Sequence, residues 1–128
     1  GTTPPPECNE IIDINVGDTT NGDLAGQSNQ TGSCGASNGA EAIYRVNVDR
    51  NTQVCASTAG SAIDTVLYIR RGHCSVGIEE VCQDDVAVGV TTSAVRFHAR
   101  PNTDYFIVVD SNDAAGRFEL SLQRGPCP

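Results

Sequence analysis

Among the residue types of this chain, aspartate is the one whose positions most clearly suggest a binding site. Asp64 precedes a predicted strand, Asp84 and Asp85 form a pair just after Cys82, and Asp110 and Asp113 follow another predicted strand. Calcium is bound in proteins by about six to eight oxygen atoms, mostly from carboxylates and carbonyls on loops. These five aspartates are therefore candidate calcium ligands, with calcium as the one expected cofactor.

The same aspartates have a simpler interpretation, which the sequence leaves open. Asp is common in turns because its side chain bonds to the backbone nearby. Under this interpretation Asp64 caps a turn, and the Asp84–Asp85 pair belongs to a solvated loop. If Cys74 pairs with Cys82, however, the carboxylates approach the end of one sheet. The disulfide pattern therefore bears on the calcium hypothesis.

Six cysteines indicate disulfides formed in an oxidising compartment. Zinc is disfavoured, because no CxxC spacing occurs and the two histidines, His73 and His98, are far apart in sequence. We expect three pairs: Cys8–Cys34 around the first strand and long loop, Cys74–Cys82 across a short loop, and Cys55–Cys127 from the remainder. A rival pairing joins Cys8 to Cys127 and Cys34 to Cys55. Spacing alone does not decide among the possible connectivities.

No catalytic constellation is recognisable. A serine hydrolase needs a nucleophile, a base and an orienting acid in contact, but GxSxG is absent, His98 lies between arginines and His73 adjoins Cys74. Asp84 with Glu79 or Glu80 would supply paired carboxylates, yet a chain with 5% aromatic residues makes a poor sugar cleft. We predict that the chain is not an enzyme. The sequon at Asn29 is a candidate glycosylation site.

Short strands must position these residues, since no segment shows an apolar stripe at helical spacing. Tyr44, Val46 and Val48 alternate with polar residues, which is typical of a half-buried strand. Two runs, TVLYIR and YFIVVD, are nearly all apolar and predict strands buried on both faces. The predicted strands are 11–16, 42–48, 53–58, 65–70, 93–99, 105–110 and 117–123. Residues 17–39 are predicted to be loop, with one short strand at most around Asp23 to Ala25. This pattern predicts an antiparallel β-sandwich.

Composition excludes several classes of protein. The 128 residues carry a formal charge of −8, which argues against nucleic-acid binding and against anionic membrane surfaces. No run approaches the roughly 20 apolar residues of a membrane span. Five of the six prolines lie near the ends. We therefore expect a flexible linker over residues 1–7, one domain over 8–124 and a linker end over 125–128, as in a mature chain or a module cut from a longer exported protein.

Several stretches together resemble the bacterial pre-peptidase C-terminal domain. They are GAEAIYRVNV, STAGSAIDTVLYIRRGHC, VCQDD and NTDYFIVVDSNDAAGRFELSL, and their order and spacing match that family from about Cys8 to Leu122. The chain is similar to the cysteine-bearing subgroup of the family.

The resemblance implies a jelly-roll-like β-sandwich, stapled by disulfides, in a secreted protein. Family members are non-catalytic and often adjoin a peptidase or belong to large surface proteins; some bind calcium and some bind collagen. This chain has no peptidase part, and it lacks the aromatic-rich surface expected of a collagen or carbohydrate binder.

Three functions follow as hypotheses. The first is an accessory module that aids secretion, stability or surface attachment of a larger extracellular protein. The second is a subunit of an extracellular fibre or array, in which residues Thr2 to Val16 add a strand to a neighbour. The third is a calcium-dependent ligand-binding module. Expected partners are other domains of a secreted protein or copies of the chain itself, at an extracellular or cell-surface location.

Overall fold

The chain folds into β-strands in alternation with turns. A computed structural model describes residues 11–24, 34, 41–61, 63–74, 77–83, 92–111 and 116–127. The strands are β1 (Ile11–Asp13), β2 (Thr19–Leu24), β3 (Ala42–Val46), β4 (Thr52–Ser57), β5 (Thr65–Arg71), β6 (Ile78–Gln83), β7 (Ala94–Ala99), β8 (Tyr105–Ser111) and β9 (Gly116–Arg124). Within these ranges no helix is long and apolar enough to cross a membrane.

The strands form two sheets. Sheet A has the order β1-β3-β8-β5-β6, and sheet B has the order β2-β9-β4-β7. Every ladder is antiparallel except that between β1 and β3, which is parallel. Strands β2 to β9 have the strand order of an eight-stranded jelly roll, with β1 added at one edge. The predicted all-β, jelly-roll-like sandwich is confirmed.

The main core lies between the sheets and is built by alternate residues of each strand. Leu67 and Ile69 of β5 and Ile107 of β8 meet Leu120 of β9 and its neighbours there, all fully buried. Side chains on one strand point alternately to the two faces, so these residues define the inner faces. Tyr44 and Phe118 pack edge to face across the sandwich, with ring centroids 6.3 Å apart.

A second apolar cluster lies on the outer face of sheet A. Val66, Tyr68, Phe106 and Val108 are buried there together with Ile43. Strands β5 and β8 are therefore buried on both faces, as their continuous apolar runs predict. The half-buried Cys34 and Cys82 pack against this cluster.

The disulfide pairing is only partly as expected. Cys55 is bonded to Cys127, as predicted. Cys34 is bonded to Cys82, so the predicted Cys8–Cys34 and Cys74–Cys82 pairs are wrong, and so is the rival Cys34–Cys55 and Cys8–Cys127 scheme. Cys74 is also in a disulfide. Cys8 lies outside the described residues.

The hairpin of β5 and β6 explains why Cys74 and Cys82 do not pair. Arg71 is opposite Ile78 and Tyr68 is opposite Cys82, so Cys82 lies four residues along β6 from the turn region that holds Cys74. Four residues of strand span about 13 Å. A disulfide tolerates at most about 7 Å between Cα atoms. Closeness in sequence is therefore misleading at this hairpin.

Two strands are absent from the sequence prediction. Residues Thr19–Leu24 were expected to be mostly loop but form β2, and Ile78–Gln83 form β6. Both are edge strands and largely exposed or half-buried, so few of their residues needed to be apolar. Hydrophobic alternation is weak in such strands.

The C-terminal residues are attached to sheet B as far as Cys127. The Gly125 N–H donates to Gln53 O at 2.8 Å, and the Cys55–Cys127 disulfide lies beside this bond. The predicted boundaries at residues 8 and 124 stay a prediction.

Candidate functional site

One end of sheet A gathers strand termini that carry acidic residues. Ala42 at the start of β3 is opposite Val109, Thr65 at the start of β5 is opposite Ser111, and Gln83 at the end of β6 is opposite Leu67. Antiparallel pairing thus brings the starts of β3 and β5 beside the ends of β6 and β8. We call this region the acidic end, defined by Glu41, Asp64 and Asp110.

Asp110 is buried on the outer face of sheet A. Its Oδ2 accepts a hydrogen bond from the Tyr68 hydroxyl at 3.0 Å, and its Oδ1 accepts one from the Ser111 N–H at 2.8 Å. Burial raises the pKa of Asp110 to about 6, although both hydrogen bonds and the charge of Arg70 oppose the rise. Both carboxylate oxygens therefore serve the fold itself.

Tyr68 and Arg70 complete a buried polar cluster with Asp110. The Arg70 guanidinium lies 4.9 Å from the centroid of the Tyr68 ring, and its Nη1 donates to the carbonyl oxygen of Cys74 at 2.9 Å. Burial, together with the neighbouring negative charge of Asp110, raises the pKa of Tyr68 far above its usual value. The phenol therefore stays protonated and donates its hydrogen bond to Asp110 Oδ2.

The other two carboxylates of the acidic end, Asp64 and Glu41, are half-buried. Asp64 lies directly before β5. The Oε2 atom of Glu41 is buried. Asp84 and Asp85 follow β6 directly in sequence and Asp113 follows β8, but all three lie outside the described residues, as does the Asn29 sequon. Within the described part, no three His, Cys, Asp or Glu side chains are placed to hold a metal ion.

The structure places Asp64 and Asp110 at one end of sheet A although the Cys74–Cys82 pair, on which the sequence prediction of a shared end depends, is absent. Glu41 is not among the residues predicted from the sequence. Glu41 is placed there because β3 pairs with β8, with Ala42 opposite Val109. The only signal available in the sequence is that a carboxylate stands directly before a strand. Only the pairing of β3 with β8 shows that this carboxylate lies near Asp110.

A buried hydroxyl cluster lies at the same end, between the sheets. Thr58 Oγ1 and Thr65 Oγ1 are 2.6 Å apart, Ser93 Oγ donates to Thr65 O at 2.9 Å, and the Ser93 N–H donates to Thr58 Oγ1 at 2.8 Å. These bonds join the end of β4 and the start of β7 in sheet B to the start of β5 in sheet A.

The two histidines lie away from these hydroxyls. His73 follows the other end of β5, a strand of seven residues that spans about 20 Å. His98 is near the other end of β7, where its Nε2 is 3.4 Å from Asn51 Oδ1. Among the described residues, neither imidazole therefore lies beside this hydroxyl cluster, as nucleophilic catalysis by one of its members would require.

The fold and the site together define the class of protein, a disulfide-bonded jelly-roll sandwich with an acidic end. Neither a family model nor a curated protein matches the sequence. Among solved structures, the fold is similar to that of the pre-peptidase C-terminal domain of collagenase from Bacillus anthracis, with a TM-score of 0.63. The two chains are 20% identical, and the match covers 94% of this chain and 100% of the other. The chain thus has the pre-peptidase C-terminal fold, as its motifs suggest.

Proposed function

We propose that the chain is a non-catalytic accessory module of a larger extracellular protein, where it aids secretion, stability or surface attachment. The observation that carries this proposal is the fold, which is similar to that of the pre-peptidase C-terminal domain of a collagenase. Because one fold hosts many functions, the arrangement of the side chains must also be consistent with the proposed function. The separation of both histidines from the buried hydroxyls supports a non-catalytic role.

The disulfides and charge support the proposed location and partners. Disulfides persist in oxidising compartments, so we place the module outside the cell or at its surface. A net charge of −8 disfavours nucleic acid and anionic lipid as partners. The proposed partners are the other domains of the parent protein.

An in-frame deletion of the codons for residues 11–127 tests this proposal. Immunoblots of medium, surface and cell fractions would measure where the parent protein accumulates, and an assay of its other domains would measure activity per molecule. We expect less parent protein outside the cell or on its surface, with unchanged activity per molecule. Unchanged amounts with loss of activity would contradict an accessory role.

Calcium binding at the acidic end is a second proposal, favoured by the convergence of strand ends from β3, β5, β6 and β8. Asp64 and Glu41 would supply described oxygen ligands, with Asp84, Asp85 and Asp113 completing the set. Oxygen-only donors of this kind suit calcium. Asp110 fits less well, because its two oxygens already accept hydrogen bonds.

Thermal unfolding in millimolar calcium chloride, against sodium chloride of equal ionic strength, tests the calcium proposal. Ligand that binds only the folded state raises the melting temperature. We expect calcium to raise it and Asp64→Asn to reduce the rise. Asp49→Asn is the matched control, because Asp49 is exposed in the β3–β4 connection. Equal melting temperatures in both salts would rule the site out at extracellular calcium levels.

The fibre hypothesis receives less support. Residues Ile11–Asp13 of the predicted donor segment already pair with β3 of the same chain. The Arg45 guanidinium also holds β1 in place through Asp13, with Nε–Oδ1 and Nη2–Oδ2 distances of 2.7 and 3.1 Å. A donor segment would have to give up these contacts or lie N-terminal to them.

A further inference from the structure

The two sheets of the sandwich differ in width on one side. In the described chain sheet A has five strands and sheet B has four, and β1 has no strand opposite it in sheet B. Tyr44 of β3 reaches Gly22 of β2, with the hydroxyl 3.7 Å from the Cβ position of that glycine. Strand β1 therefore extends beyond β2. Ile12 lies on the same side of β1 as Tyr44 and is 52% exposed.

Along the outer edge of β2, half of the backbone groups have no strand partner among the described residues. The Leu122 N–H donates to Asp18 O, and the β2–β9 register alternates from that point. Thr20, Gly22 and Leu24 therefore bond to β9, while the N–H and C=O groups of Thr19, Asn21 and Asp23 face outward. Within the described residues no strand covers this edge.

The opposite edge of sheet B is closed at both ends. The Ala94 N–H of β7 donates to Gln83 Oε1 at 3.0 Å, and the Arg100 N–H donates to the Tyr105 hydroxyl at 3.0 Å. Between these caps, the β4–β7 register leaves the backbone groups of Arg96 and His98 without a strand partner among the described residues. Proteins protect edge strands in such ways against unwanted pairing. The edge of β2 has no comparable cap from a described side chain.

The space beside β2 is a cavity of about 210 Å³ whose lining is both polar and apolar, the apolar part coming from side chains such as Ile12 and Phe118. We call it the slot, lined by Ile12, Asn21, Gly22, Asp23, Tyr44 and Phe118. Gly22 allows a close approach here, because a Cβ at that position would lie 3.1 Å from the Phe118 ring and would push the ring away. The absence of a side chain lets the Phe118 ring lie close to β2 and line the slot.

The charge of the slot selects its occupant. Asp23 is exposed on the outer side of β2, and Glu41 lies at the rim. The protein as a whole is also acidic, with a charge of −8. A strand entering the slot presents alternate residues to Ile12 and Phe118 on one face and to Asp23 on the other. Residues 1–10 of this chain are unsuited to occupy the slot, since they contain two Glu, three Pro and no basic residue.

We propose that the slot binds one extended polypeptide segment with alternating apolar and basic residues, which adds to β2 as a fifth strand of sheet B. Strand addition of this kind draws affinity from backbone hydrogen bonds and specificity from alternate side chains. This binding does not depend on the accessory role, because the isolated chain suffices to test it.

The test is titration of the full chain into a fluorescent, end-blocked peptide of about eight residues that alternates Val and Lys. We expect saturable binding, with at least about tenfold weaker binding of a Val–Glu peptide. Asn21→Pro removes an outward N–H without touching the β9 ladder and should weaken binding at least about tenfold. His98→Pro, the same change on the outer edge of β7, is the matched control and should leave binding unchanged.

A second variant, Asp23→Lys, tests the proposal if Asn21→Pro fails to fold. Asp23→Lys reverses the charge beside the slot and should weaken binding of the Val–Lys peptide while strengthening that of the Val–Glu peptide. Equal binding of both peptides, equal effects of the two proline variants, or no binding at millimolar peptide would overturn the proposal. Concentration-dependent dimers that Asn21→Pro abolishes would also overturn it, because the occupant would then be a second copy.

Discussion

The buried Tyr68, Asp110 and Arg70 form the most unusual group of side chains on sheet A. Charges are costly to bury unless they are paired and hydrogen-bonded. Here the carboxylate accepts bonds from Tyr68 and the Ser111 N–H, and the guanidinium bonds to the Cys74 carbonyl. The cluster therefore ties β5 and β8 to the turn that holds Cys74.

The raised pKa of Asp110 makes a prediction about pH. Its pKa in the folded state is about 6, above the unfolded value of 3.8. The folded state therefore holds the proton more tightly, and the stability from this group is full below pH 3.8 and lost as pH rises through 6. From pH 7 to pH 4 we expect the wild type to gain on the order of 3 kcal/mol relative to Asp110→Asn.

Urea unfolding of both proteins across this pH range measures the difference directly. Subtracting the variant cancels the titration of the other carboxylates. A constant difference between pH 4 and pH 7 would show that Asp110 does not titrate with a raised pKa.

Sequence patterns locate Asp110 but do not reveal its burial. The run YFIVVD shows that the residue ends a strand. That its carboxylate meets Tyr68 depends on the β5–β8 register, which sets Val66 opposite Asp110 and Tyr68 opposite Val108. Register between strands more than thirty residues apart is a property of the whole fold. No local pattern contains it.

At the level of elements, the hydroxyl cluster of Thr58, Thr65 and Ser93 connects the two sheets. Removal of one member leaves buried polar partners unsatisfied. Thr65→Val keeps the shape and removes the hydroxyl, so we expect a loss of about 1–3 kcal/mol in the free energy of unfolding. Thr19→Val, at an exposed threonine of β2, is the control and should change it by less than about 0.5 kcal/mol. Equal effects would mean that the cluster adds no stability.

The disulfides fasten segments distant in sequence to each sheet. Cys34–Cys82 closes a separation of 48 residues and Cys55–Cys127 one of 72. In the chain-entropy model each contributes about 4 kcal/mol. We expect Cys34→Ser/Cys82→Ser and Cys55→Ser/Cys127→Ser to lower stability by similar amounts, as measured by urea unfolding. A far smaller loss in one variant would mean that its bridge stabilises little.

Peptide mapping tests the connectivity itself. Cleavage after both Arg and Glu places the six cysteines on six different peptides. Without reduction, we expect peptide 11–41 joined to 81–96 and peptide 51–70 joined to 125–128. A link between 72–79 and 81–96 would restore the Cys74–Cys82 pair that the hairpin geometry excludes.

The predictability of each strand follows its burial. β5 and β8 are evident from sequence because both faces are buried, and β3, β7 and β9 because at least one face is. β2 has the sequence TTNGDL and β6 the sequence IEEVCQ. Each lies at the edge of its sheet, with one neighbouring strand among the described residues. Hydrophobic patterning alone therefore misses them.

At the scale of the molecule, the sandwich has chemically different ends. Carboxylates precede or end strands at the acidic end, whereas Arg50 and Arg124 line an open cleft at the other end, about 340 Å³ in volume. Asp49 also lines this cleft, so its charges partly cancel, and we expect cations to concentrate at the acidic end instead. The sequence shows the charge, but only the strand pairing shows its position.

We propose above that this chain is an accessory module of a larger exported protein. Reading the coding sequence on both sides of the codons for Gly1 and Pro128 tests it most directly. We expect one continuous reading frame with an export signal upstream and at least one further extracellular domain. A reading frame that encodes only an export signal and this chain would contradict it.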